Sequence, residues 1–254
     1  ATTFRINLSH SNEEELKKYL NIFEESNILP SIDTQGPQLR VKEFSLNENL
    51  KINTKVNLFF GEVQKKDDFN SYICLNHPEV CSQIEIGDTL KIDFQGLAIR
   101  IIEKINDTKF AAEVIASGKI MPNRAVDISG KTLNLNVLTE FDKYAIDYAY
   151  KKGCVNFYCS FVSSADDIAL IRKYIPKGTK LISKVETSKS LINIQEIFLD
   201  SDALLIDRGD LSREISIALV PIAVEKVLSI SKDFNKDIYI ATNILDSMMK
   251  SKVP

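Results

Sequence analysis

Short apolar runs alternate with amphipathic segments along most of the chain. "TTFRINLS" leads into "SNEEELKKYLNIFEES", where Leu16, Tyr19, Leu20 and Phe23 fall on one helical face. Ser11 is the expected N-cap of that helix, with Glu14 three residues on as in a capping box. "ILPSIDTQGP" follows. Later, "CVNFYCSFV" precedes "SADDIALIRKYI", with Ser164 as the expected cap, and "KLISKVE" precedes "SLINIQEIFLD". "ALLIDRGDL" precedes a helix over residues 217–231, and "DIYIATNIL" precedes "DSMMK". This alternation predicts parallel strands joined by crossover helices, with strands at 3–8, 28–33, 154–162, 180–186, 203–208 and 237–242. Six such strands suit an open doubly wound sheet, whereas a closed barrel takes about eight.

Residues 41–130 follow another rule. "KINTKVNLFFG", "DTLKIDF", "LAIRIIEKI" and "KFAAEVIAS" are rich in β-branched and aromatic residues, and the turn signals "IGD", "FQG" and "NDT" divide them. The pattern predicts an all-β module inserted into an α/β domain.

Composition narrows the classes. With 44% hydrophobic and 26% charged residues, the chain has the make-up of an ordinary folded domain. A net charge of −3 gives no general attraction to nucleic acid or anionic membrane, and neither is an expected partner. No apolar run approaches the roughly 20 residues of a membrane span, and the opening "ATTFRINLSH" lacks the pattern of a secretory leader. A reducing cytoplasm is the expected location. Cys154 and Cys159 read as core thiols. Cys74, His77 and Cys81 in "CLNHPEVC" supply only three zinc ligands, one short of a closed tetrahedral site.

The candidate chemistry gathers at the strand ends. Asn7, Ser9 and His10 follow the first strand, and Asp33 and Thr34 the second. Ser160 lies late on the third, and Lys184 and Glu186 close the fourth. Arg208, Gly209 and Asp210 close the fifth, and Thr242 and Asn243 the sixth. Parallel α/β folds build their sites at the C-terminal ends of strands. Lys184 and Glu186, two apart on a strand, point to the same side. Glu186 and Asp210 on neighbouring strand ends offer hard oxygens suited to Mg²⁺ or Mn²⁺. Lys184 beside them adds a positive charge for an oxyanion or a transferring phosphoryl group.

The stretches "RINLSH", "IDTQGPQLR", "LISKVET", "DRGDLSREI" and "IATNILDSMM" resemble the pyruvate kinase family. That family reads approximately R-x-N-F-S-H-G, D-T-K-G-P-E-I-R, I-S-K-I-E-N, A-R-G-D-L-G-x-E and A-T-Q-M-L-E-S-M in the same order. "VLTEFDKYAIDYAYKKGCVNFYCSFVSSADDI" is similar to its segment after the inserted β domain. The resemblance implies a TIM-type (β/α)8 barrel, incomplete here, formed by residues 1–41 and 131–254, with an all-β lid domain at 42–130. It implies Mg²⁺-dependent phosphoryl transfer from phosphoenolpyruvate to ADP, giving pyruvate and ATP, the last step of glycolysis. The full-length protein would be a homo-oligomer. Lys184 would neutralise the transferring group, Glu186 and Asp210 would hold the divalent ion, and Asn7, Ser9, Asp33 and Thr34 would hold K⁺. Arg5 would contact phosphate, His10, Arg40 and Arg124 would lie on the nucleotide side, and Ser160, Gly209 and Asp210 would line the substrate site. Thr242 would stand near the enolate carbon and substrate carboxylate. Asp93 would lie close to a lid aspartate that approaches the nucleotide.

Several positions depart from the family pattern. Gln35 stands for the lysine of D-T-K-G-P, Gln38 for a potassium-linked glutamate, and Ser163 for an arginine. Asn123 and Arg124 replace paired lysines. Asp207 replaces the alanine before R-G-D, and Ser212 a glycine. The first and eighth barrel strands and the C-terminal domain have no counterpart in the chain, as expected of a fragment. The departures, Asp207 above all, raise two alternatives. One is a metal-dependent lyase, decarboxylase or aldolase acting on a 2-oxo acid or enolate. The other is a catalytically impaired binding or regulatory protein.

Overall fold

The computed structural model describes residues 3–61, 71–93, 96–131 and 133–242, with Arg213 by its backbone alone. It divides into two compact units, residues 1–37 with 137–254, and residues 38–136.

In the first unit, strands Arg5–Asn7, Ser31–Asp33, Asn156–Cys159, Lys180–Val185, Ala203–Asp207 and Asp237–Ala241 form a parallel sheet, each beside its successor in the chain. This order never reverses, so the sheet has no topological switch point and is not doubly wound. Among the described residues the first and sixth strands do not pair, and the sheet is open.

The two-residue period of a strand decides which side chains meet. Ile6, Ile32, Phe157, Cys159, Leu181, Val185, Leu204 and Ile206 join the large core shared with the helices. Their alternates Tyr158, Ile182, Ala203 and Leu205 form a smaller cluster on the opposite face. Arg5, Asn7, Asp33, Lys184 and Asp207 have this second parity. The central strands are therefore buried on both faces, and their polar C-terminal residues all emerge on one side.

The helix Glu13–Glu25 begins one residue later than the sequence suggests. Asn12, not Ser11, is its cap: Asn12 Oδ1 accepts the Glu15 N–H and Glu15 Oε2 accepts the Asn12 N–H, each at 2.9 Å. Ser11 is drawn away, its hydroxyl donating to the Asn7 carbonyl. Leu16 and Leu20 are buried, but Tyr19 is 40% exposed, so the apolar stripe is narrower than the pattern implied. Ser164 caps Ala165–Ile171 as expected. The segment "SLINIQEIFLD" splits into Ser188–Ile192 and Ile194–Asp200 at Asn193, whose side chain donates to the Ser163 carbonyl. The helix expected over 217–231 is Val220–Phe234, preceded by a 3₁₀ turn at Ile217–Leu219. Pro221 confines its start, because a residue without an N–H is tolerated only in the first turn. The helix expected at "DSMMK" lies outside the described residues.

The second unit is a seven-stranded, mainly antiparallel sheet. Its order is Val126–Ile128, Thr89–Ile92, Leu97–Lys104, Lys109–Ala116, Lys55–Phe60, Tyr72–Leu75 and Val41–Ser45. The pair Lys55–Phe60 and Tyr72–Leu75 is parallel. The two outermost strands meet at one end through an Arg40–Ala125 bridge, where the Val126 N–H donates to the Leu39 carbonyl at 2.8 Å. Leu58, Ile73, Leu90, Ile99 and Phe110 are fully buried in a core belonging to this unit.

Candidate functional site

Lys184 is the penultimate residue of the fourth strand, and its ammonium is buried among oxygens. Nζ lies 2.7 Å from Glu186 Oε1, 3.2 Å from Asp33 Oδ1 and 3.7 Å from Asp207 Oδ2, and donates to Ser160 Oγ at 3.1 Å. The residue is 4% exposed, so this is no solvated strand-end charge. Burial works against the charged form, but the carboxylates of Glu186, Asp33 and Asp207 outweigh it and hold the lysine above its ordinary pKa. The ammonium is therefore a fixed charge at neutral pH.

Glu186 stands two residues on and is fully buried. The Phe161 N–H donates to its Oε2 at 2.7 Å. Phe161 has φ 57°, a left-handed conformation that a bulky residue adopts only under constraint, and it turns the amide toward the carboxylate. Oε1 is held by the Lys184 ammonium at 2.7 Å. Burial pushes the Glu186 pKa up to about 7 against the opposing pull of Lys184, and Asp210 and Asp207 add to the rise.

Glu186, Asp207 and Asp210 each present one oxygen within 4.8 Å of the other two. Three hard carboxylate oxygens this close, two of them on buried residues, carry more negative charge than Lys184 balances and fit a divalent cation. The sequence named Glu186 and Asp210 as the ligands here and gave Asp207 no metal role. The neighbouring Arg208 donates to the Thr242 carbonyl. Asp207 Oδ1 accepts the Gly209 N–H at 3.2 Å and the Thr242 hydroxyl at 2.5 Å. Gly209 has no room for a side chain: a Cβ would come within 2.8 Å of Thr242 Cγ2.

The first two strand ends add a polar layer. Arg5 Nε lies 3.2 Å from Asp33 Oδ2, and its guanidinium sits over the Tyr158 ring. Asp33 is fully buried, and Oδ2 has the ion pair but no hydrogen bond. Asn7 Oδ1 accepts the Ser9 N–H, and Thr34 Oγ1 accepts the Ser160 N–H at 3.0 Å. The Ser160 hydroxyl donates to the Thr34 carbonyl at 2.7 Å. His10 is exposed at the end of a 3₁₀ turn. Arg40 and Arg124 belong to the second unit. There Arg40 Nη1 donates to the Asn123 carbonyl, and Arg124 pairs with Asp93 at 3.4 Å.

Three departures from the family pattern are absorbed locally. Gln35 Nε2 donates to the Leu8 carbonyl, and its Oε1 accepts the Thr139 hydroxyl. Ser163 donates twice to Asp167, and Ser212 donates to the Gly209 carbonyl. Asp142 carries more than its place in a capping box suggests. Its buried carboxylate accepts the N–H groups of Gln35, Gly36 and Thr139 at 2.7, 3.1 and 2.9 Å, tying the loop after Asp33 to the helix Glu140–Lys151. The Thr139-x-x-Asp142 spacing signalled the box, and nothing signalled the link more than 100 residues away.

The family model described as "Pyruvate kinase, barrel domain" matches residues 1–254. A pyruvate kinase of Methanocaldococcus jannaschii is 33% identical over 98% of the chain and 54% of its own length. One from Thermotoga maritima is 31% identical over 99% of the chain and 55% of its own length. Plastidial pyruvate kinase 2 of Arabidopsis thaliana is 27% identical over 98% of the chain and 44% of its own length. The chain thus spans about half the length of the curated relatives it matches. Among the described residues, no helix is long and apolar enough to cross a membrane.

Proposed function

The chain belongs to the pyruvate kinase family, and on that premise we propose that it carries the site for phosphoryl transfer from phosphoenolpyruvate to ADP. The observation that carries this reading is the buried Lys184 ammonium beside the Glu186–Asp207–Asp210 oxygens. A site for a substrate bearing a carboxylate and a phosphate needs concentrated positive charge in a low-dielectric place.

In this reaction the enol-phosphate P–O bond breaks as a bond forms to the terminal oxygen of ADP. The electron pair stays with the enolate, whose carbon then takes a proton. Lys184 would meet the charge spreading over the transferring oxygens, and Arg5 would add a second cation from the neighbouring strand end. Glu186 and Asp210 would hold Mg²⁺ or Mn²⁺, which supplies Lewis-acid stabilisation when bound. Thr242, at the sixth strand end, would stand on the enolate side, with Ser160 and Gly209 lining the substrate. Asn7, Ser9, Asp33 and Thr34 would hold K⁺, with the buried Asp33 carboxylate supplying the negative charge. His10, Arg40 and Arg124 would serve the nucleotide side.

On the same reading the six-stranded sheet is most of the wall of a (β/α) barrel of about eight strands. Residues 42–130 form its lid, and residues 1–41 with 131–254 the barrel. The test is a coupled assay of the full-length protein with phosphoenolpyruvate, ADP and Mg²⁺, with and without K⁺. ATP and pyruvate formed one to one are expected. Turnover of a 2-oxo acid without ADP would replace this reading with the lyase or aldolase one.

A further inference from the structure

Asp207 is the residue that composition and position leave unexplained. It ends the fifth strand and caps the short helix Arg208–Glu214. It is buried, 8% exposed, although its removal from water would be costly for an unpaired charge.

Its two oxygens are engaged differently. Oδ1 is fixed by the Thr242 hydroxyl at 2.5 Å and the Gly209 N–H at 3.2 Å. Oδ2 lies 3.7 Å from Lys184 Nζ, beyond hydrogen-bond reach. That ammonium already sits closer to Glu186 and Asp33, at 2.7 and 3.2 Å. One buried lysine therefore faces three carboxylates, and its single charge cannot balance all of them. An oxygen of Asp207 lies within 4.8 Å of both the Glu186 and Asp210 oxygens. Two donors locking one oxygen of a carboxylate while the other stays available is the arrangement that orients a metal ligand.

We propose that Asp207 is a third carboxylate ligand of the divalent-cation site, beside Glu186 and Asp210. This deepens the reading above and rests on its placement of the ion. Physically, a third negative oxygen donor raises the affinity of the empty site and reduces its reliance on substrate oxygens to complete the coordination. Thr242 and Gly209 are positioning residues for that ligand.

The experiment is a Mn²⁺ titration of the full-length protein without substrates, read from the free-ion electron paramagnetic resonance signal. Asp207→Asn removes the charge but keeps an acceptor for Thr242 and Gly209, and circular dichroism checks that the variant folds. Its Kd for Mn²⁺ is expected to rise about tenfold or more. Glu186→Gln serves as the second arm and is expected to weaken binding at least as much. An Asp207→Asn Kd equal to wild type, with binding lost in Glu186→Gln, overturns the third ligand and leaves the two-carboxylate site standing. Wild type that binds no Mn²⁺ at millimolar concentration without substrate also overturns the proposal, and the coupled assay then decides separately whether the phosphoryl-transfer reading survives. Binding unaffected by either variant places the ion elsewhere and overturns both.

Discussion

Lys184 shows how much burial changes the meaning of a residue. As a strand-end lysine it would be removable at small cost. As the ammonium nearest three carboxylates, it offsets the desolvation of Glu186, which is wholly buried. Lys184→Met is expected to destabilise the protein by about 3–5 kcal/mol, because the carboxylates lose their counter-charge. Urea unfolding with a chelator present measures this, and a loss under about 1 kcal/mol would contradict it. In the coupled assay kcat should fall by about 10²-fold or more, since a charge aimed at developing oxyanions contributes most in the transition state. Both effects in one variant are expected here because the same ammonium holds the site together and faces the substrate.

At the scale of elements, the loop after the second strand is held by groups that never touch the proposed substrate. Gly36 has φ 68°, and a Cβ there would lie 2.7 Å from the Ser160 carbonyl oxygen. Gly36→Ala therefore meets both backbone strain and a clash, and is expected to cost about 2 kcal/mol or more and to displace Ser160 from Lys184. Asp142→Ala removes the acceptor of three backbone N–H groups and the capping box of Glu140–Lys151. A loss of about 3 kcal/mol is expected, together with reduced kcat, although Asp142 lies outside the strand-end cluster. Asn12→Ala is the contrasting case. It breaks only the exposed capping box of Glu13–Glu25, and should cost about 1 kcal/mol with kcat unchanged. Thermal melts and the coupled assay on the three variants separate a supporting loop from a mere helix cap.

At the scale of the whole molecule, the two units bury separate apolar clusters. Leu58, Ile73, Leu90, Ile99 and Phe110 belong to the second unit's own core. The segment Gln38–Asn136, expressed alone, is expected to give a β-type circular dichroism spectrum and one cooperative melting transition, as a unit with its own core should. A featureless, non-cooperative melt would mean that its strands depend on the rest of the chain.

The order of elements, the parallel pairing and the all-β middle were legible in the sequence, because two- and 3.6-residue periodicities are local properties of the chain. So was the gathering of Lys184, Glu186, Asp33 and Ser160, since strand parity and the rule for parallel strand ends place them on one face. Single-residue boundaries were not. The choice between Ser11 and Asn12 turned on which acceptor each side chain found, and Ser11 found the Asn7 carbonyl. Tertiary structure alone decided what Asp207 does. In sequence it stood out only as a departure from the family pattern, and its partners Thr242 and Lys184 arrive from the two strands flanking its own, more than 20 residues away in each direction. The same holds for Asp142, whose hold on Gln35 and Gly36 spans the whole second unit in sequence. Spacing along a chain fixes which side a residue faces. Whether a buried carboxylate meets a hydroxyl, an ammonium or another carboxylate there is set by which strands the fold places side by side.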